Sequence, residues 1–466
     1  MSIADALNQG CMCRTLDANR LREQLERDPS LQGLSSSIAL AQPHLFSSSV
    51  VFLSSATYQA IADTVAAIER VMALPAYQAN ALASAPSIAH PSFGPLGAFM
   101  GYDFHVDTSN LQAQGGPQLI EINTNAGGAM LNAALARAHR ACCAPMSLAM
   151  NNYVQLGELE QTFFDMFMSE WHMQRGDAPL RTVAIVDDDP AAQYLAPEFA
   201  LCRQMFVQRG LQAVIADPKD LRWHDGRLWH QGTTGDAHID LVYNRLTDFD
   251  LSEPAHQALH DAYLAGAAVV TPHPHAHALR ANKRNLITLS NDELLGRWGV
   301  SSADRQCLSA AIPSTQAVVR EHADALWAQR RQLFFKPVAG YAGKAAYRGD
   351  KLTKRVWEEI LAGDFIAQAL VPPGQRLVNV DGVATDLKFD IRAYTYDGQI
   401  QLLAARTYSG QTTNFRTEGG GFSPVVVVPQ LDLPIWEKAV QPEATSIGPR
   451  TCSASCSSSF SSASAL

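Results

Sequence analysis

Four short apolar runs, TVAIV, LQAVIA, IDLVYN and AAVVT, lie between residues 180 and 272, and a stretch of helical spacing from Phe199 to Arg209 separates the first two. Short strands alternating with helices constrain this part of the chain to a parallel sheet covered by helices. From Leu333 the pattern changes. LFFKPV, AAYRG, FIAQALV, FDIRAYTY, IQLLAARTY and FSPVVVV follow one another, so the C-terminal part reads as β-rich. Residues 1–90 read mainly as helix; between Tyr58 and Leu74, Ile61, Val65, Ile68 and Val71 recur at spacings of three and four. After HPSFGPLG come two strand-like runs, GYDFHV and PQLIEIN, and residues 128–172 and 283–310 return to helix. No internal repeat is present.

Composition narrows the classes. At 466 residues a prior of about three domains applies. Hydrophobic residues make up 47% and charged residues 17%, which supplies large cores and excludes global disorder. A net charge of −9 opposes a nucleic-acid partner, which would call for a basic stripe. No run approaches 18 apolar residues, so no membrane span is expected. The opening MSIADALNQG has no basic-then-apolar pattern of a secretory signal. Eight cysteines fall as Cys11 and Cys13, Cys142 and Cys143, lone Cys202 and Cys307, and Cys452 and Cys456 in a serine-rich tail. There is no CxxC pair, so zinc is not expected, and reduced thiols in a cytoplasmic protein are the plain reading. From about Pro442 the tail is of low complexity and is expected to be disordered.

Several motifs carry chemistry. Lys336 ends the strand-like LFFKP, and Lys344 follows in GYAGKAAY, where Gly340 and Gly343 would let backbone amides close over phosphates. FIAQALVPPG pairs an apolar strand with a Pro-Pro exit that would suit the edge of an adenine. Asp390 and Arg392 share one face of a strand, with Arg406, Asn414 and Arg416 following near a glycine run, a set suited to phosphoryl groups. Glu121 and Asn123 also share a face, and Asp103 lies beside them if GYDFHV and LIEIN pair. Such an oxygen set suits Mg²⁺, which takes few protein ligands and completes its shell from phosphates. Each motif alone also reads as plain structure: a hairpin turn, a core strand with a stiff exit, a surface ion-pair ladder, an acidic edge. His273, His275 and His277 alternate in HPHAH and would suit a metal, but a loop leading to Lys283 is preferred because no distant partner ligand is evident.

In order, ANKRN, LITLSNDELLGRWGV, AIPST, FFKPVAGYAGK, FIAQALV, FDIRAY and AARTYSGQTTNFRTEGGG resemble the ATP-grasp ligases. That resemblance implies that Lys283 and Lys336 contact ATP phosphates. It makes Gly340, Tyr341, Gly343 and Lys344 the mobile phosphate loop, and has Gln368, Ala369, Leu370 and Val371 line the adenine. Ala369 stands where the family usually has an acidic residue. In most of the family the metal strand and its E-x-N come last. Here GYDFHV and LIEINTNAGG come first, and no second E-x-N follows GGGFSPVVVV. The chain therefore resembles a circularly permuted ATP-grasp protein of the glutathionylspermidine-synthetase-like group, over about residues 98–128 and 180–428.

The expected architecture is α/β, α+β in the grasp part: a circularly permuted ATP-grasp fold with a preceding Rossmann-like domain and an N-terminal helical region. Its boundaries would be a helical region at 1–97, the permuted metal-binding piece with helices at 98–175, a substrate-side domain at 176–280, the ATP-binding domain at 281–430 and the tail at 442–466. The resemblance implies an ADP-forming ligase that joins a small carboxylate to an amine through an acylphosphate. Asp103, Glu121 and Asn123 would hold Mg²⁺, Lys336 with Arg392 and Arg416 would stabilise transferred charge, and Arg245 and Asn414 would face the substrate. Two alternatives stay open: a phosphotransferase with the same site, and a nucleotide-binding protein without catalysis.

Overall fold

The computed structural model describes residues 2–106, 116–141, 147, 159–232, 235–339 and 345–428. The Gly340–Lys344 loop, Cys142, Cys143 and the serine-rich tail lie outside the described residues.

Strands are numbered in chain order. The largest sheet runs β1 (Val51–Ser54), β18 (Gly421–Val428), β17 (Gln399–Tyr408), β16 (Val383–Tyr396), β2 (Met100–His105) and β3 (Gln118–Asn123). β16 is 14 residues long; its first half pairs with β15 (Gly374–Val380) and its second half with β2, along the same edge. β1 and β18 are parallel and the other neighbours antiparallel. The β16–β17 hairpin turns on Asp397 and Gly398 at φ 47° and 71°, which a two-residue loop with two left-handed positions requires.

A second sheet has the order β10 (Val269–Thr271), β9 (Leu241–Asn244), β4 (Thr182–Val186) and β5 (Gln212–Ala216), all parallel, as the alternating pattern predicts. The path from β5 to β9 contains a small antiparallel sheet, β6 (Leu221–His224), β7 (Arg227–Gly232) and β8 (Gly235–His238), which the sequence reading did not anticipate. The fourth sheet has the order β11 (Thr315–Ala317), β14 (Phe365–Ala369), β12 (Leu333–Pro337) and β13 (Tyr347–Arg348).

The N-terminal region is mainly helical but not wholly so. Its apolar VVFL becomes β1 because β18 offers an unpaired edge some 370 residues downstream, a partner no local pattern reveals. The helix Ser55–Met72 follows at once, started by Ser54, whose hydroxyl accepts from the Thr57 amide at 3.0 Å. Its stripe of Ile61, Val65, Ile68 and Val71 packs on Tyr102, Phe104, Ile391 and Ala405 of the large sheet. Burial of each such aliphatic side chain contributes about 1.5–3 kcal/mol. Phe99, Phe163, Phe167, Phe206 and Tyr243 make an aromatic core beside the parallel sheet, with ring centroids 5.0–5.8 Å apart. No helix among the described residues is long and apolar enough to cross a membrane.

Buried His256 joins two loops at the C-terminal edge of the parallel sheet. Its Nδ1 meets Asp248 at 2.8 Å and its Nε2 meets Asp188 at 2.9 Å, with Glu253 beside them. Burial alone would lower its pKa, but the two carboxylates outweigh burial and raise it above the ordinary value. The stabilisation is therefore complete below about pH 6.5 and is lost as pH rises through the folded pKa. His256→Asn should cost on the order of 1–2 kcal/mol at pH 6, discounted because Asp188 is 43% exposed. Urea unfolding of both proteins from pH 6 to 9 should show the gap closing as pH rises; a constant gap would remove the proton from the explanation.

Candidate active site

Strand register brings the site together. On β2, Asp103 faces Glu121 of β3 on one side and Arg392 of β16 on the other. One residue further along the β2–β3 ladder the register slips, and Ile120 is the extra residue. A bulge leaves that residue outside the regular ladder. The Ile120 carbonyl accepts from the Lys336 ammonium, which thereby ties β12 of the fourth sheet to the edge of the large one. Lys336 also donates to Gln368 Oε1 of β14 at 2.8 Å.

Asp103 is fully buried and its carboxylate is saturated. Arg392 donates to both oxygens, Nε at 2.7 Å and Nη2 at 2.6 Å. Arg406 Nη2 reaches Oδ2 at 2.8 Å, and Asn123 Nδ2 reaches the same oxygen at 3.1 Å. Arg406 also donates through Nε to Asp390 at 2.7 Å, and Thr413 donates to the other Asp390 oxygen. Burial would raise the Asp103 pKa, but the charges and hydrogen bonds of Arg392 and Arg406 hold the carboxyl well below its usual range. Arg406, one of the arginines expected to suit phosphoryl groups, stands at the centre of this network.

Beside it the site stays open. Glu121 and Asn123 are half-buried. Asn123 Nδ2 also donates to Glu121 Oε1 at 3.3 Å, so the Asn123 carbonyl oxygen and the second Glu121 oxygen remain as acceptors. Burial pushes Lys336 down to about 8; Glu121 and Asp103 oppose that, and the charge of Lys283 adds to it. Four cations (Arg392, Arg406, Lys336 and Lys283) thus meet three carboxylates (Asp103, Asp390 and Glu121), an excess of one positive charge when all are ionised.

The other expected positions differ in kind. The buried Gln368 keeps its Nε2 without a hydrogen-bond partner among the described residues. The amides of Ala369 and Leu370 donate to Ser314 and Gln332 carbonyls, both at 2.8 Å, and the Val371 carbonyl meets His105 Nδ1 at 2.9 Å. Asn414 shapes its own loop: its Nδ2 donates to the Ser409 and Thr412 carbonyls, and its Oδ1 accepts from the Arg416 amide and the Thr417 hydroxyl. The Arg416 side chain is exposed, so this loop brings neither Asn414 nor Arg416 to Asp103. Arg245 follows β9, is buried, and donates to Asn125, whose amide returns to the Arg245 and Leu246 carbonyls at 2.7 and 2.9 Å. The turn after E-x-N is thereby pinned to the edge of the parallel sheet. Each histidine of HPHAH is occupied: His273 Nε2 by the Pro95 carbonyl, His275 Nδ1 by the Ala89 carbonyl and His277 Nδ1 by the Thr124 hydroxyl.

No family model matches the chain. No curated protein matches its sequence either. Among solved structures it is similar to a glutathione synthetase-like effector from Globodera pallida in its apo form, at a TM-score of 0.52 and 11% identity, over 87% of this chain and 98% of that one. A putative gamma-glutamylcysteine synthetase from Methylobacillus flagellatus aligns over 78% of this chain and 86% of its own, at 11% identity and a TM-score of 0.42. The ATP-grasp ligase PsnB with a minimal precursor aligns over 56% and 94%, at 14% identity and a TM-score of 0.27. The chain shares its fold with the glutathione synthetase-like effector.

Asp103→Asn would leave the buried guanidiniums of Arg392 and Arg406 short of one counter-charge and should cost roughly 3–5 kcal/mol. Urea denaturation at pH 7 measures it, and a loss below about 1 kcal/mol would mean that Asp390 balances both arginines unaided.

Proposed function

We propose that this chain is an ATP-dependent ligase that activates a small carboxylate as an acylphosphate and joins it to an amine, releasing ADP and phosphate. The observation that supports it best is the meeting of Lys336 with the β2–β3 hairpin. Cations and oxygen ligands spread from residue 103 to residue 406 converge where β12 meets the β2–β3 hairpin. The fold alone is shared with the glutathione synthetase-like effector; the chemistry rests on these residues.

The donor set fits Mg²⁺. Glu121 and Asn123 supply hard oxygens, and phosphates would complete the shell. Asp103, committed to two arginines, would act on Arg392 and Arg406 rather than as a ligand. Bound there, Mg²⁺ would shield the β- and γ-phosphate oxygens. Lys336 and Lys283 would attract the nucleotide and balance charge as the γ-phosphoryl group moves to the carboxylate, a step that needs positioning more than covalent help. Arg392 and Arg406, held rigid by Asp103 and Asp390, would stabilise the oxyanion when the amine attacks. Arg245 would orient the turn at Asn125 on the substrate side. Gly340, Tyr341, Gly343 and Lys344 keep their proposed role as the loop over the phosphates, and Gln368 to Val371 theirs beside the adenine. The placement of β2 and β3 beside β16 supports reading the chain as circularly permuted, with the metal-binding hairpin supplied from the front.

ADP release and hydroxamate formation, with Mg-ATP, pooled small carboxylates and hydroxylamine as a generic amine, test the reading. Both products should appear together, and Glu121→Ala should lower them at least about 100-fold without loss of fold. ADP with a stable phosphorylated product and no hydroxamate would make the chain a phosphotransferase instead. A second test uses Lys336, which is charged below about pH 8 and neutral above it. Affinity for a non-hydrolysable ATP analogue should fall about tenfold between pH 7 and pH 9.5. A flat titration profile would separate Lys336 from the phosphates.

A further inference from the structure

His277 is the histidine of HPHAH that reaches the turn after E-x-N. Its Nδ1 lies 3.1 Å from the Thr124 hydroxyl, and Thr124 directly follows Asn123. One ring face is covered by Phe249, with ring centroids 3.9 Å apart and the planes 7° from parallel. Phe249 stands in the loop after β9, at the edge of the parallel sheet where Arg245 holds Asn125. The His277 side chain is half-buried, and its Nε2 has no hydrogen-bond partner among the described residues and is not sealed from solvent. One nitrogen is held, one face is covered, and the other nitrogen is open.

The backbone fixes the ring in that place. His277 opens a π-helical turn, His277–Ala281, which the Asn282 amide closes on the His277 carbonyl at 3.1 Å. Such turns are rare and frequently lie at functional sites. The turn packs against β3, the strand of Glu121 and Asn123, and Lys283 follows two residues after its end. Within the turn Arg280 donates to Glu69 at 3.0 Å, and Glu69 accepts from Tyr102 of β2 at 2.6 Å. The turn is thereby tied to both strands of the hairpin that carries Asp103, Glu121 and Asn123.

Resting on the ligase reading, we propose that His277 is the general base that takes a proton from the attacking amine. An aliphatic amine has a pKa of about 10.4 and arrives as an ammonium without a lone pair, whereas the weakly basic hydroxylamine arrives uncharged. In the tautomer whose Nδ1–H donates to the Thr124 hydroxyl oxygen, Nε2 keeps its lone pair for that proton. Burial, and after it the charge of Lys283, push the His277 pKa down to about 3, so the ring meets the substrate neutral. Phosphates bound beside Lys283 would offset that charge and strengthen the base. As the ammonium gives one proton to Nε2, its freed lone pair bonds to the acyl carbon. The acyl C–O bond then breaks with its electrons on the leaving phosphate, which takes the second proton from nitrogen, and the imidazolium returns the first to solvent.

The test compares hydroxylamine with pooled amino acids and alkylamines as acceptors for the carboxylate that supports ADP release. The full-length wild type, His277→Asn and His277→Gln are assayed at neutral pH. Asn sets an amide where Nδ1 stands, within reach of Thr124, and neither variant can take up a proton there. Amide formation should fall in kcat at least about 100-fold more than hydroxamate formation, because only the ammonium needs the base. Hydroxamate made by each variant in the same preparation shows that it is folded. No loss, or an equal loss with both acceptors, would overturn the base and leave His277 a support for Thr124. A wild type that uses hydroxylamine but none of the pooled amines would overturn it too. If the wild type makes no hydroxamate, the ligase reading itself fails and this proposal falls with it.

Discussion

Much of the large sheet turns on one buried carboxylate. Asp103 accepts from Arg392, Arg406 and Asn123, so a single side chain links β2, β3, β16 and β17. Asp390 repeats the arrangement between β16 and β17 through Arg406. Charges so far from water persist only when paired and fully hydrogen-bonded, and here each carboxylate oxygen has a donor. The arginines are thereby held in place, the condition under which, in the proposed reaction, they would stabilise developing charge without reorganising.

Two one-residue bulges aim this machinery. In β2–β3 the extra residue is Ile120, and its carbonyl is the one that Lys336 reaches. In β16–β17 the extra residue is Gln401: Thr395 pairs with Ile400, and Tyr394 with Leu402. Counted back from the Asp397–Gly398 turn without that bulge, Asp390 would face Ala405; with it, Asp390 faces Arg406. A slip of one residue moves a side chain to the other face of the sheet, so the arginine would otherwise point away from both aspartates.

The parallel sheet contributes from its C-terminal edge, where loops after such strands form clefts. Arg245, directly after β9, holds Asn125 and hence the turn after E-x-N. On the same edge His256 clasps the loops after β4 and β9 through Asp188 and Asp248. Buried and bonded to Asn125, Arg245 joins this sheet to the β2–β3 hairpin.

Periodicity and motif order made the parallel sheet, the β-rich C-terminal half and the β2–β3 pairing legible, because side-chain period and turn chemistry are local properties. The positions of Asp103, Glu121, Asn123 and Lys336 could be read in the same way, as residue types at strand ends. What stayed hidden depended on partners far away in the chain: β1 against β18, Arg406 rather than Arg416 at Asp103, and Arg376 buried against the Val50 and Cys11 carbonyls. The sequence by itself determined the strands of the parallel sheet, most of those in the C-terminal half, and which side chains carry charge. Only the tertiary structure decided which charges meet, because register, bulges and the burial that makes an ion pair strong come from packing between segments hundreds of residues apart.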